Sequence, residues 1–176
     1  MSTASKPDVW LRGPIDGIAP LLQPVAHALL QTQEDVHQIM EGFADEWLWE
    51  KPAGRASAGF HLQHISGVVD RLFTYARGES LTDIQLQELK QEGQPYPGHD
   101  RVAALLAALD HQIETALHQL RHTSENQLTE MRSVGRRKLA STVAGLLFHA
   151  AEHSQRHTGQ LLVTVSVVKE KHIPAA

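Results

Sequence analysis

The stretch HAAEHSQRHTGQLL, residues 149–162, places three histidines at intervals of four. Four residues make slightly more than one turn of an α-helix, so His149, His153 and His157 would form a column along one side of a helix. Such a column is either a solvated polar edge or a set of ligands. The apolar residues around it indicate which histidines face inward.

The stretch belongs to a predicted long helix from about Lys138 to Val168, in which apolar side chains recur at intervals of three and four. The members of this stripe are Leu139, Val143, Leu146, Ala150, Leu161, Thr164 and Val168. At about 100° per residue, His153 lies roughly 50° and His157 roughly 10° from the centre of the stripe, and His149 lies about 90° away. We therefore expect His153 and His157 to face the core and His149 to lie at its edge.

Three further stretches show helical periodicity, and a short helix is predicted between the second and third of them. The long ones cover about 20–40, from 57 to 76 or 77, and about 100–120, and the short one lies within SLTDIQLQELKQEG (80–93). Asp100 is expected to cap the third long helix, and Ser80 or Thr82 the short one. The pattern predicts an all-α four-helix bundle with a longer connection on each side.

The second long helix contains FHLQHISGVVDRL, residues 60–72, where His61 and His64 both lie on or beside the inward stripe. On the last helix, the imidazoles of His153 and His157 are four residues apart and can converge on one ion. A third imidazole from a facing helix would leave a coordination position free, as reactive metal sites do. Either His61 or His64 could be this third ligand, with the other one supporting it.

The composition narrows the function classes. The chain has 176 residues, 41% of them hydrophobic, which suits one domain, and 12 are histidines. It has no cysteine, which excludes disulfides and thiolate metal sites and makes a cytoplasmic location the default. A net charge of -4 gives no support for nucleic-acid binding or for an anionic membrane surface. No apolar run is long enough for a transmembrane span, and the amino terminus does not resemble a signal peptide.

The segment HAAEH, residues 149–153, also matches a zinc-hydrolase pattern in which His149 and His153 bind the metal and Glu152 is the base. This interpretation uses the histidine farthest from the apolar stripe. We instead expect Glu152 to form a surface ion pair with Arg156, four residues later.

The segments FHLQHISGVVDRLFTYARGE (60–79) and HAAEHSQRHTGQLL (149–162) together resemble the DinB-like (YfiT-like) metalloenzyme superfamily. The resemblance covers most of the chain, and we expect one domain over 1–176 with residues 1–16 as an N-terminal extension. It implies an up-down-down-up four-helix bundle, often dimeric, with a divalent ion held by three histidines. Carried onto this sequence, those ligands are His64, His153 and His157.

Some members of this superfamily are thiol-dependent transferases or isomerases, and others are described as hydrolases. The resemblance therefore implies a metal-dependent enzyme acting on a small-molecule substrate, with a low-molecular-weight thiol as a candidate co-substrate. Zinc or nickel is the expected ion, with manganese and iron as further options. Candidate side chains around the ligands are Arg71, Tyr75, Gln160 and Gln33. The alternative is a structural or sensory metal in a non-catalytic interaction module.

A homodimer is expected on two grounds. Related bundles often pair, and the first and third long helices carry more apolar side chains than a small bundle needs. These residues include Leu30 and Leu105, together with Trp47 and Trp49 of the connector that follows the first helix. The contrary interpretation is that they cover the ends of the core.

Overall fold

The computed structural model of the chain describes residues 6–172. Over these residues it is mostly helical, with five α-helices and one two-stranded antiparallel sheet. The elements are α1 (Gln23–Met40), α2 (Ala58–Ala76), α3 (Asp83–Gln91), α4 (Val102–Arg121), β1 (Met131–Val134), β2 (Leu139–Thr142) and α5 (Val143–His172).

Helix α2 has the predicted bounds. Its N-cap is Ser57, whose side chain accepts a hydrogen bond from the backbone N–H of Phe60 at 3.2 Å. The helix ends two residues before Gly78, whose φ of +83° is a left-handed conformation that glycine adopts without strain. The predicted cap of α3 is also confirmed, because Thr82 forms a capping box with Gln85.

The predicted cap of α4 is wrong. Asp100 is exposed, and the N-cap residue is Arg101, whose side chain makes no capping hydrogen bond. The backbone N–H of Val102 instead donates to Asp45 Oδ1 at 2.8 Å. Asp45 lies in the connector after α1, so a residue distant in sequence supplies the acceptor that the local pattern assigned to Asp100.

The predicted start of the last helix at Lys138 is also wrong. Residues 131–142 form a β-hairpin, in which Met131 pairs with Thr142 and Val134 with Leu139. The turn begins at Gly135, which has a φ of +65°, and α5 starts only at Val143. Leu139 is 54% exposed and does not belong to the core. The chain therefore departs from a purely α-helical fold by this hairpin.

The four long helices bury one hydrophobic core. Helix α2 packs against α5 and α4, and α1 packs against the same two helices. All the predicted apolar positions of α5 from Val143 to Val168 are buried, which confirms the inward stripe. None of the helices within residues 6–172 combines the length and the apolar character that crossing a membrane would require.

The apolar residues cited for dimerisation belong to the core or its margin. Leu105 is buried, and Leu30, Trp47 and Trp49 are partly buried against the core. Of the predicted N-terminal extension, residues 1–5 lie outside the described residues. The remainder contacts α1: the N–H of Val9 donates to Gln31 Oε1 at 2.8 Å, and Arg12 pairs with Glu34 at 2.6 Å.

Candidate metal centre

Three imidazoles from α2 and α5 meet at the partly buried surface between these helices. One ring nitrogen from each of His64, His153 and His157 lies within 4.8 Å of the other two. The Nε2 atoms of His64 and His153 are 3.0 Å apart. The ring centroid of His157 lies 4.4 Å from that of His64 and 4.7 Å from that of His153. We call these three residues the histidine cluster.

The cluster has the donor chemistry and spacing that a divalent ion requires. Two nitrogens bound to one tetrahedral zinc ion lie about 3.3 Å apart, given Zn–N bonds of about 2.0–2.1 Å. The 3.0 Å separation of the two Nε2 atoms is close to this value. His153 Nδ1 is buried and has no hydrogen-bond partner among the described residues. Imidazole ligands suit zinc, copper, iron and nickel.

A carboxylate behind His64 orients its ring. His64 Nδ1 lies 2.7 Å from Glu92 Oε2, and Glu92 also forms an ion pair with Arg71 at 2.7 Å. Because an ionised carboxylate can only accept, Nδ1 carries the proton and the Nε2 lone pair faces the cluster. A carboxylate in this position is the usual outer partner of a metal-binding histidine. The ring of Phe60 stacks on His64 with an interplanar angle of 14°.

Glu92 is held in place by the turn that follows α3. Gln63, buried in α2, accepts a hydrogen bond from the N–H of Gly93 and donates one to the carbonyl of Gln94. Gly93 has a φ of +87°, and a Cβ there would lie 3.3 Å from the ring of Phe60. Position 93 of this turn therefore needs glycine for both its backbone conformation and its packing.

His61 lies behind a different member of the cluster. Its side chain is buried, with 4% exposure, and its Nδ1 is 3.1 Å from His157 Nδ1. Of the two histidines that the sequence left open, His64 lies in the group with His153 and His157, and the buried His61 contacts His157. This contact leaves Nε2 of His157 available for an ion.

Burial lowers the pKa of three imidazoles of the site, those of His61, His153 and His157. Burial, together with the neighbouring charges of His64, His153 and His61, lowers the pKa of His157 to about 4. Burial, followed by the charge of His64, lowers the pKa of His61 to about 4 as well. Burial also lowers the pKa of His153. A neutral imidazole has a free lone pair, so the lowered pKa values favour binding of a cation by His153 and His157 at neutral pH.

Burial alone would raise the pKa of Glu92. The hydrogen bond from His64 and the charge of Arg71 outweigh burial, so this pKa lies below its usual value. The carboxylate therefore stays ionised and continues to accept the proton on His64 Nδ1.

Comparison with known proteins shows which family the chain belongs to. The sequence profile of the DinB superfamily matches residues 28–161. The chain belongs to this superfamily. A solved structure described as a conserved protein of Enterococcus faecalis has a similar fold, with a TM-score of 0.66 over 84% of this chain and 96% of that chain at 15% identity. No curated protein sequence matches the chain. Membership of the DinB superfamily and the histidine cluster together fit a metal-binding protein.

In this DinB-superfamily chain, His149 lies outside the cluster. It is about half exposed. Its Nδ1 lies 2.7 Å from Oε1 of Glu152 on the outer face of α5. Glu152 also forms the predicted ion pair with Arg156, at 2.7 Å. His149, Glu152 and His153 do form a second group of close ligand atoms. Since Arg156 and His149 already engage Glu152, this group is a less favourable cation site than the cluster.

Of the four side chains that the sequence suggested around the ligands, one contacts the site and three do not. Arg71 contacts Glu92 and so belongs to the site. Tyr75 packs against the core, Gln33 donates to Asp110 and Gln160 is exposed. Sequence reasoning missed Glu92, because a residue 28 positions after His64 gives no periodic signal. The only local hint is the glycine that follows it.

Proposed function

We propose that this DinB-superfamily protein binds one divalent metal ion through His64, His153 and His157, and that it is a metal-dependent enzyme. The observation that carries the proposal is the convergence of three imidazoles, one of them oriented by Glu92. Zinc or nickel is the proposed ion, because the donors are nitrogen atoms and both metals bind imidazole well.

The ligand set leaves room for a reacting group. No further histidine, aspartate or glutamate among residues 6–172 joins the group of three. When bound by three imidazoles, a divalent ion lowers the pKa of coordinated water or thiol toward neutrality and thereby supplies a nucleophile. Since the chain has no cysteine, a sulfur nucleophile would come from a low-molecular-weight thiol. The proposed reactions are thiol transfer to, or hydrolysis of, a small molecule.

We also propose that α1, α2, α4 and α5 form an up-down-down-up four-helix bundle. Contacts at the helix ends support this topology. Lys169 near the end of α5 donates to the carbonyl of Glu41 after α1, as expected for parallel helices. Gln119 near the end of α4 donates to the carbonyl of Phe73 near the end of α2. The N–H of Leu21 before α1 donates to Glu125 after α4, as expected for an antiparallel pair.

We also propose a homodimer. Its interface would lie on α5 and not on the apolar residues of α1, α4 and the connector that the sequence indicated. Helix α5 carries exposed apolar side chains at Phe148, Leu162 and Val163, which are 65%, 52% and 63% exposed. Pairing of two copies through this face would remove them from water. Sedimentation at micromolar concentration should show a dimer that Val163→Asp dissociates. A wild-type monomer would contradict this part of the proposal.

Metal analysis followed by activity assays tests the proposed function. Untagged protein should carry about one divalent ion per chain. The loaded protein, and not the metal-free protein, should transfer a small thiol to an electrophile or hydrolyse an activated ester. A protein that stays metal-free after loading would contradict the proposal. A loaded protein that is inactive in both assays, with a fourth protein ligand on the metal, would favour the non-catalytic interaction module.

A further inference from the structure

A cavity borders the Arg71–Glu92 pair, and its lining includes none of the three residues of the histidine cluster. This cavity, of about 160 Å³, is bounded by α2, α3, α4 and the connection from 92 to 101. Arg71 and Glu92 form part of its wall, together with Ser66 of α2 and His99 of the connection. We call it the α2–α4 cavity. It has room for a small ligand or for several water molecules.

The side chains around this cavity are mostly polar or charged. They include Ser66, Asp70, Glu88 and Tyr96, and Gly67 and Ala108 are the lining residues without a polar side-chain group. The cavity therefore offers hydrogen-bonding and charged partners to an occupant that is itself polar.

The charge of the wall selects the sign of that occupant. Glu92 is matched by Arg71, which leaves the carboxylates of Asp70 and Glu88. One oxygen of Asp70 accepts a hydrogen bond from Gln85, at 2.7 Å. Glu88 makes no side-chain hydrogen bond or ion pair with residues 6–172. The remaining charge is negative and favours a cation.

An aromatic surface adjoins these carboxylates. The rings of Tyr96 and His99 stack with their centroids 4.4 Å apart and an interplanar angle of 17°. Burial and the charges of Glu88 and Glu92 raise the pKa of Tyr96 to about 12, so its hydroxyl stays protonated. Carboxylates beside an aromatic face are a common setting for an organic ammonium group.

The spacing of the wall residues disfavours a metal ion. Among residues 6–172, the groups of three close ligand atoms all include His153 of α5. The carboxylates and imidazoles of the α2–α4 cavity do not come that close to one another. We propose that the α2–α4 cavity binds a small organic cation bearing a primary ammonium group, held by Asp70 and Glu88 against the ring of Tyr96.

The two tyrosines of the chain make the test selective, because Tyr96 lines the cavity and Tyr75 does not. Full-length protein with ¹³C-labelled tyrosine rings is titrated with propylammonium, in the presence of a chelator so that the result is independent of the histidine cluster. Propylammonium should shift the Tyr96 signal saturably and leave Tyr75 unchanged. Neutral 1-propanol and anionic propionate should have no such effect at equal concentration.

Glu88→Gln should weaken propylammonium binding about tenfold, since it removes one charged partner while keeping the shape of the side chain. Glu114→Gln is the matched control, because Glu114 is exposed on α4 and does not line the cavity. Three results would overturn the proposal. The first is that propionate shifts the Tyr96 signal instead, as expected of an anion site at Arg71. The second is that none of the probes shifts it, as expected of a cavity that holds solvent only. The third is that Glu88→Gln binds propylammonium as tightly as the wild type does.

Discussion

Glu92 determines how His64 is presented to a metal ion. Replacing it with glutamine keeps an oxygen acceptor but removes the charge that fixes the proton on His64 Nδ1. We expect Glu92→Gln to lower metal affinity by about 10–100-fold, measured by competition with a chelator. Glu152→Gln is the control, since Glu152 pairs with His149 and Arg156 on the outer face. Equal losses in the two variants would argue against a specific role for Glu92.

His61 gives the metal-free protein a predictable response to acid. Its pKa is about 4 in the folded state, against 6.5 for an unperturbed histidine. Between these values the unfolded chain binds a proton that the folded chain does not. The free energy of unfolding therefore falls as the pH drops from about 6.5 to 4, by up to about 1.4 kcal/mol per pH unit for this residue. Above pH 6.5 His61 is neutral in both states and contributes no slope.

Denaturant unfolding at pH 7, 6 and 5 measures this response. His61→Leu should reduce the slope of unfolding free energy against pH, because the variant lacks the group that is protonated on unfolding. His149→Leu is the control for the loss of a histidine, since His149 is about half exposed on the outer face of α5. A slope that is unchanged in His61→Leu would mean that other groups carry the pH dependence.

Helical spacing predicts individual side chains well when one helix decides their environment. The angle of each residue around α5 correctly predicted that His153 and His157 would be more buried than His149, which is exposed. The same argument could not separate His61 from His64, because both lie on the inner side of α2. Glu92 of the α3 connection and His157 of α5 distinguish them, and neither contact has a local signature in the sequence.

At the scale of elements, the start of α2 depends on a close contact with the connector before it. A Cβ at Gly59 would lie 2.6 Å from the ring of Trp49, which is partly buried against the core. We expect Gly59→Ala to destabilise the protein by about 1–3 kcal/mol, because the ring must move. Denaturant unfolding followed by tryptophan fluorescence measures the change.

Gly159 is the matched control in another helix. A Cβ there would meet no atom within 4 Å, and the position is exposed in the middle of α5. Alanine should therefore stabilise the protein by about 0.5–1 kcal/mol, through its higher helix propensity. If Gly59→Ala were also neutral or stabilising, the contact with Trp49 would not constrain α2.

The elements also mark where sequence periodicity misleads. Leu139 fits the apolar stripe of α5 when the helical spacing is extended backwards, yet it lies in β2 with its side chain exposed. The strands have only four residues each, so they are too short to show a clear alternation. Gly135, which begins the turn, was the available sign that the helix could not extend so far.

At the scale of the whole molecule, the packing of α2 against α5 is what assembles the site. The ligands on α5 are four residues apart, and the ligand on α2 lies 89 residues before His153. Hydrophobic patterning predicted that these helices would share a core. The register between them depends on side-chain packing across the interface, which periodicity does not specify.

Metal content per chain in single alanine variants tests whether His64, His153 and His157 bind one ion. Each of these three replacements should abolish stoichiometric metal, because two imidazoles seldom retain an ion against solvent and buffer. His149→Ala should keep about one ion per chain, and His61→Ala should weaken affinity by about 10–100-fold, as expected for an outer residue. If His149→Ala empties the site while His157→Ala stays fully loaded, His157 is not a ligand and the pair His149–His153 binds the metal instead.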